Sequence, residues 1–352
     1  MGAIPGANST VALKLGSTFG TASSVGAGDK WPVRVSRNEN VTPLERTLIG
    51  SGDIMKANAA RGKTSPTVSV EGELGYNDPS IAAIRQFFGA TSVVAGATVG
   101  IHSIFVNETA NNRYATLAMT PLTGSIIEYP SAAATSLTLS FADPADYMRL
   151  AMDFLANSEL TSGTTNSAAS VDATTMADTT PVVVQTTDEF LINAQSGVAL
   201  ATSTHRLNVQ SVSFSYQRPQ EHVFEARGSA GNGAPVVSGD TPFLCTVQVT
   251  LKELDDQAFF LWQQLASSTA GFYKASFTVT DTSTPISGST YRQLVLNFPA
   301  LKLTGSVDWS LQSASRNPVT ITFDAFVADT NPSGMIDRYP YVIVRNGKLT
   351  AY

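Results

Sequence analysis

The sequence has almost no cysteine. Cys245 stands alone among 352 residues, so no disulfide framework and no zinc knuckle can form within the chain. It sits on an alternating run, where a free cysteine acts as a small buried hydrophobe. Charge is scarce too. Asp, Glu, Lys and Arg make up 14% of the residues, against roughly 25% in an ordinary soluble protein. The net charge is −6 and no Lys/Arg cluster stands out, which argues against a surface built to grip nucleic acid. No run of about 18 apolar residues is present to span a bilayer. The opening MGAIPGANSTVALKLG lacks a basic segment followed by a long apolar stretch. It does not read as a secretory signal, and the chain is expected to be made and kept in the cytosol.

Catalytic constellations are missing as well. His102, His205 and His222 share no ligand spacing, so no metal is expected. ANAARGKT (57–64) formally fits a phosphate-binding loop. That loop needs a buried strand before it and a helix after it, whereas here Pro66 and an alternating run follow. No G-x-S-x-G turn is present. Asp255 and Asp256 open a helical pattern, where carboxylates complement the helix dipole. The expectation is a protein with no enzymatic activity and no cofactor.

Ser, Thr, Ala and Gly fill the space that charge leaves. Hydrophobic residues reach 43% and mean hydropathy is +0.04, enough for a normal core. A polar but weakly charged surface suits extensive protein–protein contact.

Phrases recur along the chain. LTGSII begins at Leu122 and LTGSVD at Leu303, with Gly124 and Gly305 181 residues apart. Alternating runs follow each, and Phe141 and Phe323 lie 182 apart. Upstream, Val68 and Val70 correspond to Val247 and Val249 at a spacing of 179. Apolar runs ending at Phe88 and Leu265 are 177 apart. Three blocks in one order at nearly one offset indicate an internal duplication, with a period too long for a solenoid.

The expected class is mainly β: two tandem related β-sandwich or part-barrel domains, each with a short flanking helix, plus extended arms and long loops. The expected divisions are an N-terminal arm (1–30), a first β domain (31–158), a polar linker (159–180), a second β domain (181–330) and a C-terminal strand or arm (331–352) that reaches for a neighbour. Val68, Val70 and Leu74 mark a strand. NDPSIAAIRQFFG predicts a helix with a cap near Asp78, Pro79 in its first turn and Gly89 closing it. DDQAFFLWQQLA predicts its counterpart, and 143–158 also reads as a helix. Strands are expected near 99–106, 113–120, 123–128 and 136–142. A phase change between Val209 and Val212 predicts a β-bulge. Residues 36–66 and 217–242 read as long loops, of the kind that carry function.

Two stretches carry a family likeness. VSVEGELGYNDPSIAAIRQFFG (68–89) and GSTFGTASSVGAGDKWPVRVSRNEN (16–40) resemble the tail tube proteins of long-tailed bacteriophages. These show an alternating strand with an EG pair, then a short helix ending in FG, after an opening arm and first strand. The likeness covers most of 10–145 and reaches the second half through the duplication. Family members mostly have one such domain and form six-membered rings, whereas this chain carries two. The resemblance implies a structural virion protein, made in the host cytoplasm, that builds the hollow tail tube through which DNA passes on ejection. Three chains would make a pseudo-hexameric ring by heterologous contacts that close. It also implies partners: further copies of the chain, then the tape measure, tail terminator and baseplate hub proteins, with double-stranded DNA sliding through unbound and no membrane. The two long loops are the expected contacts between stacked rings, through Arg46, Lys56, Arg61, Lys63, Arg218, Glu221 and Arg227. An acidic and neutral bore is expected, because a basic one would hold phosphates. The alternative is a tandem β-sandwich that binds carbohydrate or a receptor. It would need a cleft with aromatic and acidic residues on one loop face, and the sequence shows no such cluster.

Overall fold

The computed structural model describes residues 9–16, 18–38, 44–46, 58–60, 65–107, 114–222, 235–237, 243–251, 271–304 and 319–352. The first strands are β1 (Thr10–Gly16), β2 (Ala27–Gly28), β3 (Val33–Asn38), β4 (Leu44–Arg46), β5 (Asn58–Ala60) and β6 (Thr67–Glu73), followed by helix α1 (Asp78–Phe88). Next come β7 (Gly89–Ala95), β8 (Gly100–Val106), β9 (Tyr114–Thr120), β10 (Ile127–Phe141), β11 (Arg149–Ala156), helix α2 (Ala168–Asp172) and β12 (Thr175–Met176). Then follow β13 (Glu189–Ala194), α3 (Thr202–His205), β14 (Arg206–Leu207), β15 (Val209–Gln217), β16 (Gln220–His222), β17 (Pro235–Val237) and β18 (Leu244–Leu251). The last strands are β19 (Tyr273–Thr280), β20 (Gln293–Thr304), β21 (Val319–Ala325) and β22 (Tyr341–Asn346).

The chain is mainly β, and 16 strands join one antiparallel sheet. Within that sheet one strand order occurs twice. The first run is β3–β6–β11–β10–β9–β1. The second is β15–β18–β21–β20–β19–β13. The members of each run also follow the chain in the same sequence. Registers match residue by residue. Leu117 lies between Leu13 and Tyr129, as Ala275 lies between Ile192 and Phe298. Phe154 faces Val68 and Phe323 faces Val247. Each run breaks its register just past an aromatic-Pro pair, Tyr129-Pro130 in one and Phe298-Pro299 in the other. Proline has no N–H to donate, so it belongs where a ladder bond is already lost. Each run also carries a hairpin between its second and third chain members, β4–β5 and β16–β17.

The two runs are fused. Past a further bulge at Thr135, β10 continues and pairs with β15, from Ser136↔Gln217 to Phe141↔Val212. One buried cluster then spans both runs, from Val70, Tyr129 and Phe154 to Phe214, Phe277 and Phe298. Period-two alternation puts these side chains on one face. In β11, Leu150, Met152, Phe154 and Ala156 are buried while Arg149, Ala151 and Asp153 are exposed.

α1 forms as its sequence dictates. Asn77 accepts from the Ser80 N–H as N-cap, Pro79 fills the first turn, and Gly89 closes the helix at φ 106°, a left-handed conformation that suits glycine. Ile81, Ile84 and Phe88 are fully buried against the sheet. The cap is thus Asn77, one residue before the expected Asp78.

Several expectations give way. Residues 143–158 form a turn and β11 in place of a helix, because alternation along a buried ladder overrides helix-forming composition. The expected strands 123–128 and 136–142 are the ends of one 15-residue strand, β10. The residues 331–352 do not leave the chain: β22 lies between β20 and β8. The tail beyond it folds back, with Lys348 Nζ 3.0 Å from Asp78 and the Lys348 carbonyl 2.9 Å from His102 Nε2. The arm 1–30 contains β1, whose Val11, Ala12 and Leu13 are buried. The polar stretch 159–180 is no free linker. The buried Glu128 carboxylate accepts from the Thr165 and Asn166 N–H groups at 3.0 and 2.9 Å, and Val171 of α2 is fully buried. The LTGS phrases occupy unlike places, since Leu122 is exposed in the β9–β10 turn whereas Leu303 is buried in β20. Phe323 therefore matches Phe154 rather than Phe141. The predicted bulge between Val209 and Val212 is present, with the register shifting between Val209 and Ser211. The counterpart helix and the phosphate-loop residues 57 and 61–64 lie outside the described residues.

Candidate functional site

Eight strands lie side by side in the order β3–β6–β11–β10–β15–β18–β21–β20. Their inward residues form the core. Their outward residues present Ser136, Thr138, Ser140, Ser213, Ser215 and Thr322, none of them buried. Hydroxyls bridge the strands here: Ser69 and Ser136 each donate to the Asp153 carboxylate at 2.6 Å, and Thr246 donates to Asp324 at 3.2 Å. Charges of both signs sit among them, Glu71, Glu73, Asp153 and Asp324 against Arg34, Arg149 and Lys302. The result is a broad face of hydroxyls with no dominant charge.

The ends of this ladder differ. β15 is paired on both sides, by β10 and β18. Its counterpart β3 has one ladder neighbour, β6, among the described residues. Among the described residues no strand pairs with the other side of β3, and a sheet edge of this kind can take a further strand. Its inward Val33 and Val35 are only partly buried, whereas Val212 and Phe214 of β15 are 2% and 0% exposed.

Beside β3 runs a groove of about 1050 Å³. Val11, Val33, Val35 and Met119 supply its apolar lining, between β1 and β3. Its rim is charged, with Arg34 opposite Glu71 and Arg149 opposite Glu73 across the ladders. The corresponding seam of the second run, between β13–β14 and β15, holds only about 160 Å³. Phe141 at the end of β10 closes it, stacked on Phe277 with centroids 5.4 Å apart and planes 13° apart.

The residues expected at ring contacts are scattered. Arg218 is 4% exposed, and its backbone N–H donates to the Thr135 carbonyl at 2.7 Å. That is an interior position at the end of β15, not the tip of an exposed loop. Arg46 and Glu221 lie on the hairpin strands β4 and β16. Lys56, Arg61, Lys63 and Arg227 lie outside the described residues. Sequence reasoning missed the groove altogether.

Among the described residues, titratable groups do not converge on a catalytic arrangement. Burial pushes Asp188 up to about 6, and it accepts from the Gln185 and Thr280 N–H groups at 2.6 and 3.0 Å. Burial lowers His102, whose ring lies 4.7 Å from that of Tyr352. Burial drives the Cys245 thiol well above its ordinary value, which makes it inert. Among the described residues no group of three His, Cys, Asp or Glu side chains could hold a metal ion, and no helix is long and apolar enough to cross a membrane. What the arrangement can do is accept a strand and an apolar side chain.

No protein-family model matches the chain, and no curated protein matches it significantly.

Proposed function

We propose that this chain is a self-assembling structural protein, a two-copy form of the phage tail tube protein, whose rings stack into a hollow tube. One observation carries the reading. The chain already contains one copy-to-copy junction, β10 on β15, and β3 offers a neighbour the edge that β15 presents inside. A contact repeated by the same rotation either closes into a ring or runs on as a filament. Two β domains per chain, derived from one ancestral unit, and three chains per ring give six near-equivalent units. The edge that would invite uncontrolled pairing then becomes the means of closure.

The hydroxyl-rich face of the eight-stranded ladder lines the bore. Near-neutral Ser and Thr side chains give sliding DNA little to hold, because tight binding to phosphates requires clustered Lys and Arg. The hairpins in 36–66 and 217–242 contact the next ring. Tape measure, terminator and hub proteins meet the tube at its ends, in the virion.

Negative-stain microscopy of the purified chain, with native mass measurement, tests the reading. Tubes or three-chain rings are expected. Monomers at all concentrations, above all monomers that bind glycans, would replace it with the tandem carbohydrate- or receptor-binding alternative.

A further inference from the structure

The outward surface changes character from one part of the fold to another. Ahead of Pro299, β20 has a second set of neighbours away from the eight-stranded ladder, in the order β20–β22–β8–β7. Neither those three strands nor residues Gln293 to Asn297 of β20 include an Asp or Glu. Inward, His102, Val344 and Leu294 are buried. Outward, Val94 faces Ile101, and Ile101 faces Arg345 across the next ladder. Val94 and Ile101 are 71% and 40% exposed. One pleat further along the same side lie Ile343 and Val295, both half-buried. Arg345 therefore stands on an apolar face. Its Nε is buried with no hydrogen-bond partner, and it has no ion pair among the described residues. A desolvated donor of this kind gains when a partner supplies the missing acceptor.

A second apolar cluster lies at the corner where β21 ends and β19 begins. Phe272 and Phe326 meet edge to face with ring centroids 5.5 Å apart. With Val327 they are 42%, 44% and 48% exposed. The Phe326 N–H donates to the Ala300 carbonyl at 2.8 Å, which fixes this end of β21 to β20. Two residues past Val327, Asp329 is exposed and has no ion pair among the described residues.

We infer that these two patches bind each other between copies of the chain, with Arg345 of one copy paired to Asp329 of the next. This rests on the ring-and-tube reading above and names one of the contacts that reading requires. Charge decides the pairing. The β7–β8–β22 face laid on itself would bring two arginines together, and the Phe272–Phe326 cluster laid on itself would bring two aspartates together. Each patch finds the opposite charge on the other. Because the patches differ, the contact is heterologous and repeats from chain to chain. Aromatic rings and arginine are the side chains that dominate such contacts. In this one Arg345 gains a charge-assisted hydrogen bond.

Charge exchange in the full chain tests the pair. Arg345→Glu and Asp329→Arg each set like charges against one another. Each is expected to raise the concentration for half-assembly about tenfold or more, read by light scattering and native mass. The double variant Arg345→Glu/Asp329→Arg restores the pair in reverse and returns assembly close to wild type. Circular dichroism and melting check that every variant is folded. Val94→Asp, at a largely exposed site, probes the same face without touching Arg345 and is expected to weaken assembly as well. Wild-type assembly that none of the single variants disturbs overturns the contact and leaves the ring reading standing. Single defects that the double variant fails to repair do the same. Exchange-sensitive oligomers that are neither rings nor tubes uphold the contact and remove the ring reading. A wild-type chain that stays monomeric at all concentrations removes both.

Discussion

β3 and β15 hold the same place in two runs of one strand order, yet their sequences differ with their surroundings. β15 turns Val212, Phe214 and Tyr216 into the core, all buried. β3 offers Val35 and Arg37 at the positions of Val212 and Phe214, and neither is buried. The Phe214 position is held by Arg37, which forms an ion pair with Glu159, itself the acceptor of the Tyr129 hydroxyl at 2.7 Å. A strand with a permanent partner can be wholly apolar inside. A strand that must stay unpaired until the correct neighbour arrives carries charge, a known guard against indiscriminate edge pairing. In the proposed ring, this is the difference between a built-in junction and one made on assembly.

Proline separates the two kinds of strand most sharply. β18 is bonded on both sides, so each of its N–H groups serves one ladder or the other. Gln248→Pro and Val249→Pro should each cost roughly 3 kcal/mol or more, through a lost bond, an orphaned carbonyl and strain. On β3 alternate N–H groups face away from β6. Of Arg34→Pro and Val35→Pro, one should therefore melt near wild type as a single chain and still fail to assemble. Thermal melting and particle counts check this. If both β3 variants melt as badly as the β18 pair, the edge is not free.

Side-chain truncation sharpens the comparison at smaller scale. Val212→Ala removes methyls from a fully paired site and should cost about 2 kcal/mol. Val35→Ala, at the matching half-buried site, should cost under about 1 kcal/mol in the isolated chain. In assembled particles the gap should close, because a neighbour then covers Val35. Urea midpoints measured on dissociated and assembled material give both numbers. A gap that persists after assembly means that β3 stays uncovered.

Local chemistry made part of this legible beforehand. α1 announced itself through Pro79, Gly89 and the Ile81–Ile84–Phe88 stripe, and β6 and β18 through strict alternation. β10 was hidden because Tyr129 to Ala134 is buried on both faces, which erases the period-two signal. β11 was hidden because Leu, Ala and Met serve helix and buried strand alike. The LTGS repeat misled because a four-residue likeness ignores bulges, whereas the true correspondence shifts at Thr135 and at each aromatic-Pro pair. The groove could not be read at all. Its lining comes from residues far apart in the chain, from Val11 to Arg149, and the second seam is likewise closed from a distance, by Phe141, some 70 residues from Val212.

The finest difference between the two runs is electrostatic. By the β13–β1 match, Asp188 in the second run corresponds to Ser9 in the first. Burial raises the Asp188 carboxyl from its ordinary 3.8 to about 6, so the folded chain holds this proton more tightly than the unfolded chain. The stabilisation is therefore complete below about pH 4 and is lost as pH rises through 6. Partial exposure and two backbone N–H donors keep the effect small. Asp178 acts in the opposite sense. Burial is the largest single influence and pulls it up, but the 2.7 Å bond and charge of Arg292 together with hydrogen bonds from Thr180 outweigh it and hold the carboxyl below its usual value. Its contribution is present above about pH 4 and fades on further acidification. Melting temperature should thus rise slightly from pH 7 to 5 and turn down below 4. Asp188→Asn should flatten the upper limb alone. An unchanged upper limb in that variant would place the titrating group elsewhere, and the contrast with Ser9 would carry no pH signature.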